Sequence, residues 1–284
     1  MSAKHPKRLS VKKKYLLYES SVQDPEQQTG LFKKVYKEAT GKFPTSLCED
    51  FCGTFWISST WVKKSDKHTA TGVDLSLEPL KYGRQVHLKP LTPAEKKRIH
   101  IQRGNVLHPL SKKFDVIAAC NFSFYVLKER KLLMEYCKRS LKALKQDGVF
   151  ILEMVGGAGF IHAPFNEKRV VRYNENALDE SLPKKMAKMR YHWNHESYEP
   201  INRRGVYTMS FEFSPRRIHH DVFRYDWRIW TIPEVKECML DAGFKDVRIY
   251  WEVLRKGQKD TTYQRRKKSA TDAHTWICYV AGLK

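Results

Sequence analysis

The sequence lacks a run of 18 apolar residues, and no apolar segment follows its basic N-terminus. A membrane-spanning helix needs about 20 mostly apolar residues, and a secretory signal needs an apolar stretch of about 7–15 residues behind its charged start. The sequence therefore predicts a soluble, cytoplasmic protein with no membrane partner.

Cysteines are few and irregularly spaced, and no two form a C-x-x-C pair. The six are Cys48, Cys52, Cys120, Cys137, Cys238 and Cys278. Because they lie mostly in apolar stretches, we expect reduced core residues and neither a disulfide framework nor a zinc site. His192 and His195 have the spacing of metal ligands, but no third ligand follows nearby, so we predict no metal.

Acidic residues are scarce beside basic ones: 31 Asp and Glu oppose 53 Lys and Arg, which gives a net charge of +22. The charge is concentrated in residues 4–14, 128–145 and 255–268. It forms either a solvated surface or a region that attracts nucleic acid or another polyanion. The 284 residues, 41% of them hydrophobic, suffice for one large α/β domain or a core domain with an insertion.

The stretch Ser46–Phe55, S-L-C-E-D-F-C-G-T-F, predicts a buried strand that ends in an acid, followed by a tight turn at Gly53 and an apolar helix. A second acid-tipped strand, Thr69–Asp74, places Asp74 25 residues after Glu49. Open α/β sheets bind nucleotide-like ligands at the carboxyl ends of such strands and hold ribose hydroxyls with a carboxylate at about this spacing.

Strands and helices alternate as far as residue 154. The expected strands are Ser46–Asp50, Thr69–Asp74, Ile99–Gln102, Phe114–Cys120, Val149–Met154 and a closing antiparallel pair, Val247–Val253 and Trp276–Ala281. Capping boxes at Thr92–Glu95 and Thr231–Glu234 predict helix starts. The pattern indicates the α/β class, with a doubly wound, mostly parallel, seven-stranded sheet. The polar stretch 256–272 is expected to be a mobile loop.

Beyond Gly157 the apolar period changes to strict alternation, as in Tyr207–Phe213 and Phe223–Ile229. This predicts an antiparallel insertion over residues 165–230, which would act as a lid at the carboxyl edge of the sheet. The expected domains are a basic flexible arm at 1–14, a core at 15–164 and 231–284, and this insertion.

The core segments resemble class I S-adenosylmethionine-dependent methyltransferases, which have a Rossmann-like fold. The likeness covers about residues 46–154 and 231–282, and rests on E-D-F-C-G-T, G-V-D-L, G-N-V, F-D-V-I and D-G-V-F-I-L-E. The whole chain is also similar to a bacterial group of methyltransferases. The shared segments are Y-E-x-S-V-Q at Tyr18–Gln23, E-D-F-C-G-T at Glu49–Thr54, N-F-S at Asn121–Ser123 and Y-x-W-R-x-W-T-x-P-E at Tyr225–Glu234.

The resemblance implies S-adenosyl-L-methionine as cofactor. Glu49 and the turn backbone would hold its amino-acid end, Asp74 would bind the ribose hydroxyls, and Leu75 would lie against the adenine. An amide oxygen of Asn105 would accept a bond from the adenine amine. The implied cofactor-binding residues are Tyr18, Glu49, Phe51, Cys52, Gly53, Asp74, Leu75, Asn105, Val106 and Asn121. The chain departs from the family in this turn, where F-C-G-T-F replaces G-x-G-x-G and leaves only Gly53.

The predicted acceptor-side residues are Asn121, Glu153, Tyr198 and His192. Trp193, Tyr225 and Trp227 are further candidates, although alternating aromatics also serve hairpin packing. An enclosing aromatic lid favours a small-molecule acceptor, methylated on nitrogen or oxygen by in-line transfer.

Two alternatives stay open. The basic surface and the N-F-S-F segment at residues 121–124 fit an RNA or DNA methyltransferase, and the single-glycine turn fits a non-catalytic binding protein that has kept the fold. The sequence does not name the acceptor or the oligomeric state.

Overall fold

The computed structural model describes residues 8–178, 181–254, 261–268 and 274–284. The α-helices, in chain order, are α1 (Val11–Val22), α2 (Pro25–Thr40), α3 (Trp56–Lys63), α4 (Leu77–Gly83), α5 (Pro93–Arg98), α6 (Arg130–Ala143), α7 (Ala158–Ile161) and α8 (Ile232–Ala242). A π-helical segment, Arg84–Leu88, continues α4, and a short 3-10 turn covers Ser123–Val126. In the parts of the chain that are described, no helix has the length and apolar character needed to cross a membrane.

The β-strands, in chain order, are β1 (Ser46–Asp50), β2 (Thr69–Asp74), β3 (Ile99–Arg103), β4 (Phe114–Ala119), β5 (Leu144–Gly156), β6 (Phe165–Asn174), β7 (Met186–Glu199), β8 (Arg204–Ser214), β9 (Arg217–Arg228), β10 (Asp246–Leu254), β11 (Thr261–Arg266) and β12 (Trp276–Leu283). They form two separate sheets.

The chain divides into two compact units. The core unit consists of Pro25–Phe160 and Ile229–Lys284, and the insertion unit combines Ile161–Arg228 with the described residues up to Asp24. The N-terminal boundary differs from the predicted one, which assigned residues 15–24 to the core domain. The reason is α1, whose apolar residues pack on the strands of the insertion and not on the large sheet.

The sheet of the core unit has the order β11-β10-β12-β5-β4-β1-β2-β3. Strands β1 to β5 are parallel where they pair, and β12, β10 and β11 are antiparallel. The prediction of a mostly parallel, doubly wound sheet is confirmed.

The count of seven strands was one short, because β11 lies within the stretch expected to be a loop. Tyr263 explains the difference: its buried ring packs edge-on against Tyr279 at 4.8 Å, and its carbonyl oxygen accepts a hydrogen bond from Lys34 Nζ. The strand also pairs with β10 in antiparallel orientation. Residues 256–260 and 269–272 of the expected loop lie outside the described residues.

Strand β1 is buried over its whole length and lies between β2 and β4. At its start, Asp115 of β4 accepts hydrogen bonds from the backbone N–H groups of Thr45 and Ser46, at 2.9 and 2.8 Å. Burial alone would raise the pKa of Asp115, but these bonds and one from Lys145 outweigh it and lower the pKa to about 2. This ionised carboxylate fixes the register of β1 against β4. Both predicted capping boxes, at Thr92 and Thr231, are confirmed.

The insertion unit contains an antiparallel sheet of order β6-β7-β8-β9, as the alternating pattern predicted. One face is apolar and packs against Leu16 and Leu17 of α1. Helix α1 begins at Val11, with the Ser10 side chain accepting from Lys13 N, so the flexible arm predicted for 1–14 is helical from Val11. Residues 1–7 of that arm lie outside the described part. The role of this unit as a lid remains a prediction.

Candidate active site

Glu49 lies near the end of β1, where only 3% of its surface is exposed. Its Oε2 atom accepts hydrogen bonds from Ser58 N and Ser58 Oγ of α3, at 2.8 and 2.5 Å. Burial raises the pKa of Glu49 to about 8, against the effect of the Ser58 bonds, and the charges of Asp74 and Asp50 add to the rise. The Glu49 carboxyl is therefore mostly protonated at neutral pH.

The turn after β1 has three alternate residues in the left-handed region: Phe51 at φ 55°, Gly53 at φ 52° and Phe55 at φ 49°. Residues other than glycine adopt this conformation at a cost of roughly 1–2 kcal/mol. These are the positions that the G-x-G-x-G pattern gives to glycine, and in this chain Gly53 alone of the three is glycine. The turn is joined to β2 by a bond from Cys52 N to Val73 O, at 3.0 Å.

The two phenylalanine rings of the turn pack within the core unit. The Phe55 ring is fully buried, and Gly83 of α4 makes room for it, because a Cβ on Gly83 would lie 2.5 Å from Phe55 Cε1 and 2.2 Å from Thr54 O. The Phe51 ring lies edge-on against Tyr136 of α6, at 5.8 Å between centroids. By contrast, a Cβ on Gly53 would meet no heavy atom of the described structure within 4 Å beyond its chain neighbours.

Asp74, at the end of β2, is held by two backbone N–H groups. Its Oδ2 accepts from Gly53 N at 2.8 Å, and its Oδ1 accepts from Ser76 N at 2.7 Å. Burial raises the pKa of Asp74, although both bonds oppose the rise. Next to it, Leu75 is 63% exposed. A fixed carboxylate beside an exposed apolar side chain suits a ribose attached to a flat, apolar base.

Asn121 and Phe122 follow β4 and are both left-handed, at φ 53° and φ 57°. The backbone N–H of Asn121 donates to Glu153 Oε2 of β5 at 2.7 Å. Backbone strain of this kind persists only where the surroundings enforce it, and it is frequent at functional sites. Glu153 thus fixes the turn that presents Asn121, and the sequence had placed both residues on the acceptor side.

Glu153 is buried, at 7% exposure, beneath α2. Burial raises its pKa, while hydrogen bonds from Asn121, Tyr279, Gln28 and Cys120 lower it. Sequence reasoning missed Gln28, which is 4% exposed. Its Oε1 atom has no hydrogen-bond partner among the described residues, since its amide nitrogen faces Glu153. The sequence did hold a signal for Gln28, because this polar residue lies on the same face of α2 as the apolar Leu31, Phe32 and Val35.

Asn105 follows β3 and is exposed, whereas Val106 is buried at 3% exposure. The Asn105 side-chain oxygen, which was predicted to accept a bond from the adenine amine, accepts one from Leu107 N at 3.0 Å. One lone pair of that oxygen is therefore used within the turn, and the predicted role depends on the second.

Three predicted site residues lie in the insertion unit. Tyr18 of α1 packs against Phe223, at 5.0 Å between centroids, and Tyr198 is a half-buried residue of β7. His192 of β7 is buried, and its Nε2 is 2.8 Å from Glu212 Oε2 of β8. A carboxylate bound to one ring nitrogen fixes the tautomer and leaves the other nitrogen as a proton acceptor. Within the described residues, no group of three His, Cys, Asp or Glu side chains is arranged to hold a metal ion.

Solved structures of methyltransferases are similar to this chain over nearly its whole length. An S-adenosylmethionine-dependent methyltransferase from Clostridium acetobutylicum is 17% identical, with a TM-score of 0.64 over 95% of this chain and 98% of that one. The chain has a Rossmann-like methyltransferase fold.

Two further neighbours are named for sugar substrates. The sugar N-methyltransferase KedS8 from a Streptoalloteichus species is 13% identical, with a TM-score of 0.63 over 95% of this chain and 92% of that one. The amino pentose methyltransferase CalS10 from Micromonospora echinaspora, with S-adenosylmethionine bound, is 12% identical, with a TM-score of 0.65 over 98% of this chain and 100% of that one. No protein-family model matches the sequence, and no curated protein matches it. Identities this low establish the fold alone.

We predict that Gly83→Ala lowers the free energy of unfolding by about 1–3 kcal/mol, because its Cβ would overlap Thr54 O and the Phe55 ring. Gly30→Ala is the matched control: it lies in α2, its Cβ would meet nothing within 4 Å, and alanine there raises stability by about 0.5–1 kcal/mol. Urea denaturation measures both. Equal effects of the two substitutions would show that Gly83 is not needed for the Phe55 ring.

We predict that Glu49→Gln removes a pH dependence of stability. The pKa of Glu49 is raised from 4.5 to about 8 on folding, so its contribution is fully present below about pH 4.5 and is lost as the pH rises through about 8. The variant should therefore gain stability relative to the wild type as the pH rises from about 5 to about 8, by roughly 1.4 kcal/mol per pH unit. Glu237→Gln, at an exposed residue of α8, is the control. Parallel stability curves for wild type and Glu49→Gln would refute the prediction.

Proposed function

We propose that this protein is an S-adenosylmethionine-dependent methyltransferase that methylates an amine of a small, sugar-like molecule. The observation that carries the proposal is the hydrogen bond from Gly53 N to the Asp74 carboxylate, where the carboxyl ends of β1 and β2 meet. It fixes the carboxylate that we propose to bind the ribose, and it fixes it next to the turn after β1. The names of the similar solved structures, two of which are sugar methyltransferases, support the amine acceptor.

The residues of the turn fit the cofactor. Gly53 leaves open space where any other residue would place a side chain, and Leu75 presents an exposed apolar side chain for the adenine. Thr54 Oγ1 is buried without a hydrogen-bond partner among the described residues, so a donor or acceptor is still to be supplied there. Asp74 would hold the ribose hydroxyls, and the turn backbone with Glu49 would hold the amino-acid end.

When bound, the cofactor supplies a methyl group on a positively charged sulfur; an aligned nucleophile bonds to the methyl carbon and displaces the sulfur. The residues of the chain have to orient the acceptor and exclude water. Asn121, held in a strained turn by Glu153, would orient the acceptor amine through its side-chain oxygen. Glu153 acts through this contact with Asn121, as a positioning residue, because its own bonds to Asn121, Tyr279, Gln28 and Cys120 already engage its carboxylate.

An amine acceptor must reach the methyl group with its lone pair free, so a protonated amine has to lose a proton first. His192 of the insertion unit stays a candidate for this step on its own chemistry, because Glu212 holds its Nε2 and no partner of its Nδ1 occurs among the described residues. Tyr198 stays a candidate for contact with the acceptor.

We predict that S-adenosylmethionine and its demethylated product both bind, and that Asp74→Asn weakens the binding at least about tenfold, since it removes charge-assisted bonds to the ribose. Isothermal titration calorimetry measures the Kd. Asp66→Asn, an exposed residue before β2, should leave it unchanged. If the wild type releases no heat with millimolar cofactor, the non-catalytic alternative is favoured.

We predict methyl transfer to amino sugars and none to the corresponding hydroxyl sugars. The readout is mass spectrometry of the acceptor after incubation with cofactor, with no nucleic acid present. Structured and single-stranded RNA serve as parallel acceptors. Transfer to RNA and not to any amino sugar would overturn the acceptor class while leaving the methyltransferase activity in place.

A further inference from the structure

A groove of about 740 Å³ opens on the core unit between α6 and the segment 107–113, which joins β3 to β4. Connections between parallel strands usually contain a helix that covers the sheet. Residues 104–113, all described, contain none. The groove therefore lies where a crossover helix would otherwise pack.

The groove has an apolar floor and a basic rim. Leu107, Leu110 and Met134 contribute the floor, and α6 contributes Lys131, Lys138 and Lys142 to the rim. All three lysines are exposed, and no ion pair or hydrogen bond of their ammonium groups occurs within the described structure. One acid, Glu135, faces them.

Two other cations of the groove are already engaged. Lys113 Nζ donates to Lys142 O, and Arg130 pairs with Asp241 at 2.6 Å. The three lysines of α6 are thus the charges left for a ligand.

Arg139 lines the same groove, although its side chain is only 5% exposed. Its guanidinium donates to Asp50 Oδ2 at 2.6 Å, to Asp50 Oδ1 at 3.1 Å and to His108 O at 3.1 Å. A guanidinium has five N–H groups. Two of them consequently have no acceptor among the described residues, and a buried donor without an acceptor is costly.

We propose that this groove binds a small organic phosphate, with its apolar part on the floor and its phosphate on the lysines of α6 and the free N–H groups of Arg139. Phosphate suits both side chains, because its several oxygens accept bonds from the planar guanidinium and its charge attracts the lysine ammonium groups. The concave shape and the size are those of small-ligand pockets and not of a track for a polymer. The basic stretch 128–145, which methyl transfer leaves unexplained, then has a role.

The test is calorimetric titration of the full-length protein with naphthyl phosphate. Naphthol and inorganic phosphate are the controls for the two halves of the probe, and a single-stranded oligonucleotide is the control for a polymer. Saturating S-adenosylhomocysteine is present throughout, so the proposed donor site is blocked. The variant is Lys131→Gln with Lys138→Gln, and the matched control is Lys81→Gln with Lys236→Gln, two exposed lysines on α4 and α8.

We expect naphthyl phosphate to bind more tightly than naphthol or inorganic phosphate. The α6 double variant should weaken the binding of naphthyl phosphate about tenfold, and the control double variant should leave that binding unchanged. Equal affinity for both double variants would overturn the proposal. So would binding of the oligonucleotide without binding of naphthyl phosphate, or binding that is seen only when S-adenosylhomocysteine is omitted. That last outcome would leave the proposed methyltransferase activity intact.

Discussion

The hydrogen bond from Gly53 N to Asp74 Oδ2 joins the turn after β1 to the end of β2, and the candidate site depends on it. It fixes the Asp74 carboxylate and at the same time holds the turn in an unusual conformation. The turn can stay there because β1 is buried throughout and its register is set at the other end by Asp115. The buried strands thus hold the turn in a strained conformation, and such strain is frequent at ligand-binding sites.

The turn after β1 is left-handed at two positions that are not glycine. Phe51 and Phe55 keep left-handed backbone at positions where glycine is usual, at a cost of roughly 1–2 kcal/mol each. Burial of the Phe55 ring is worth about 1.5–3 kcal/mol, which offsets the cost at Phe55. The ring fits only because residue 83 has no side chain. Gly83 of α4 therefore compensates for the phenylalanine at position 55.

Most of the core unit could be predicted from sequence because most of its strands contain short apolar runs, because β1 and β2 each end in an acid, and because both capping boxes are local signals. The strand of the core unit that was missed, β11, depends on long-range contacts of Tyr263, with the Tyr279 ring and with Lys34 Nζ. Gln28 was missed for a similar reason: a lone glutamine on an apolar stripe has meaning only when its partner, Glu153 of β5, is known. Helix α1 was assigned to the wrong unit because its apolar residues do not reveal which sheet they pack on.

Asp50 and Arg139 connect the two ligand sites proposed for the core unit. Asp50 immediately precedes the turn, and its partner Arg139 lines the groove beside α6. Burial raises the pKa of Asp50, and the attraction of Arg139 opposes the rise. An anion bound to the two remaining N–H groups of Arg139 would share its guanidinium with Asp50. A second contact joins Asp50 to the turn, because Tyr136 donates a hydrogen bond to Asp50 Oδ2 at 2.9 Å and the Phe51 ring packs against Tyr136.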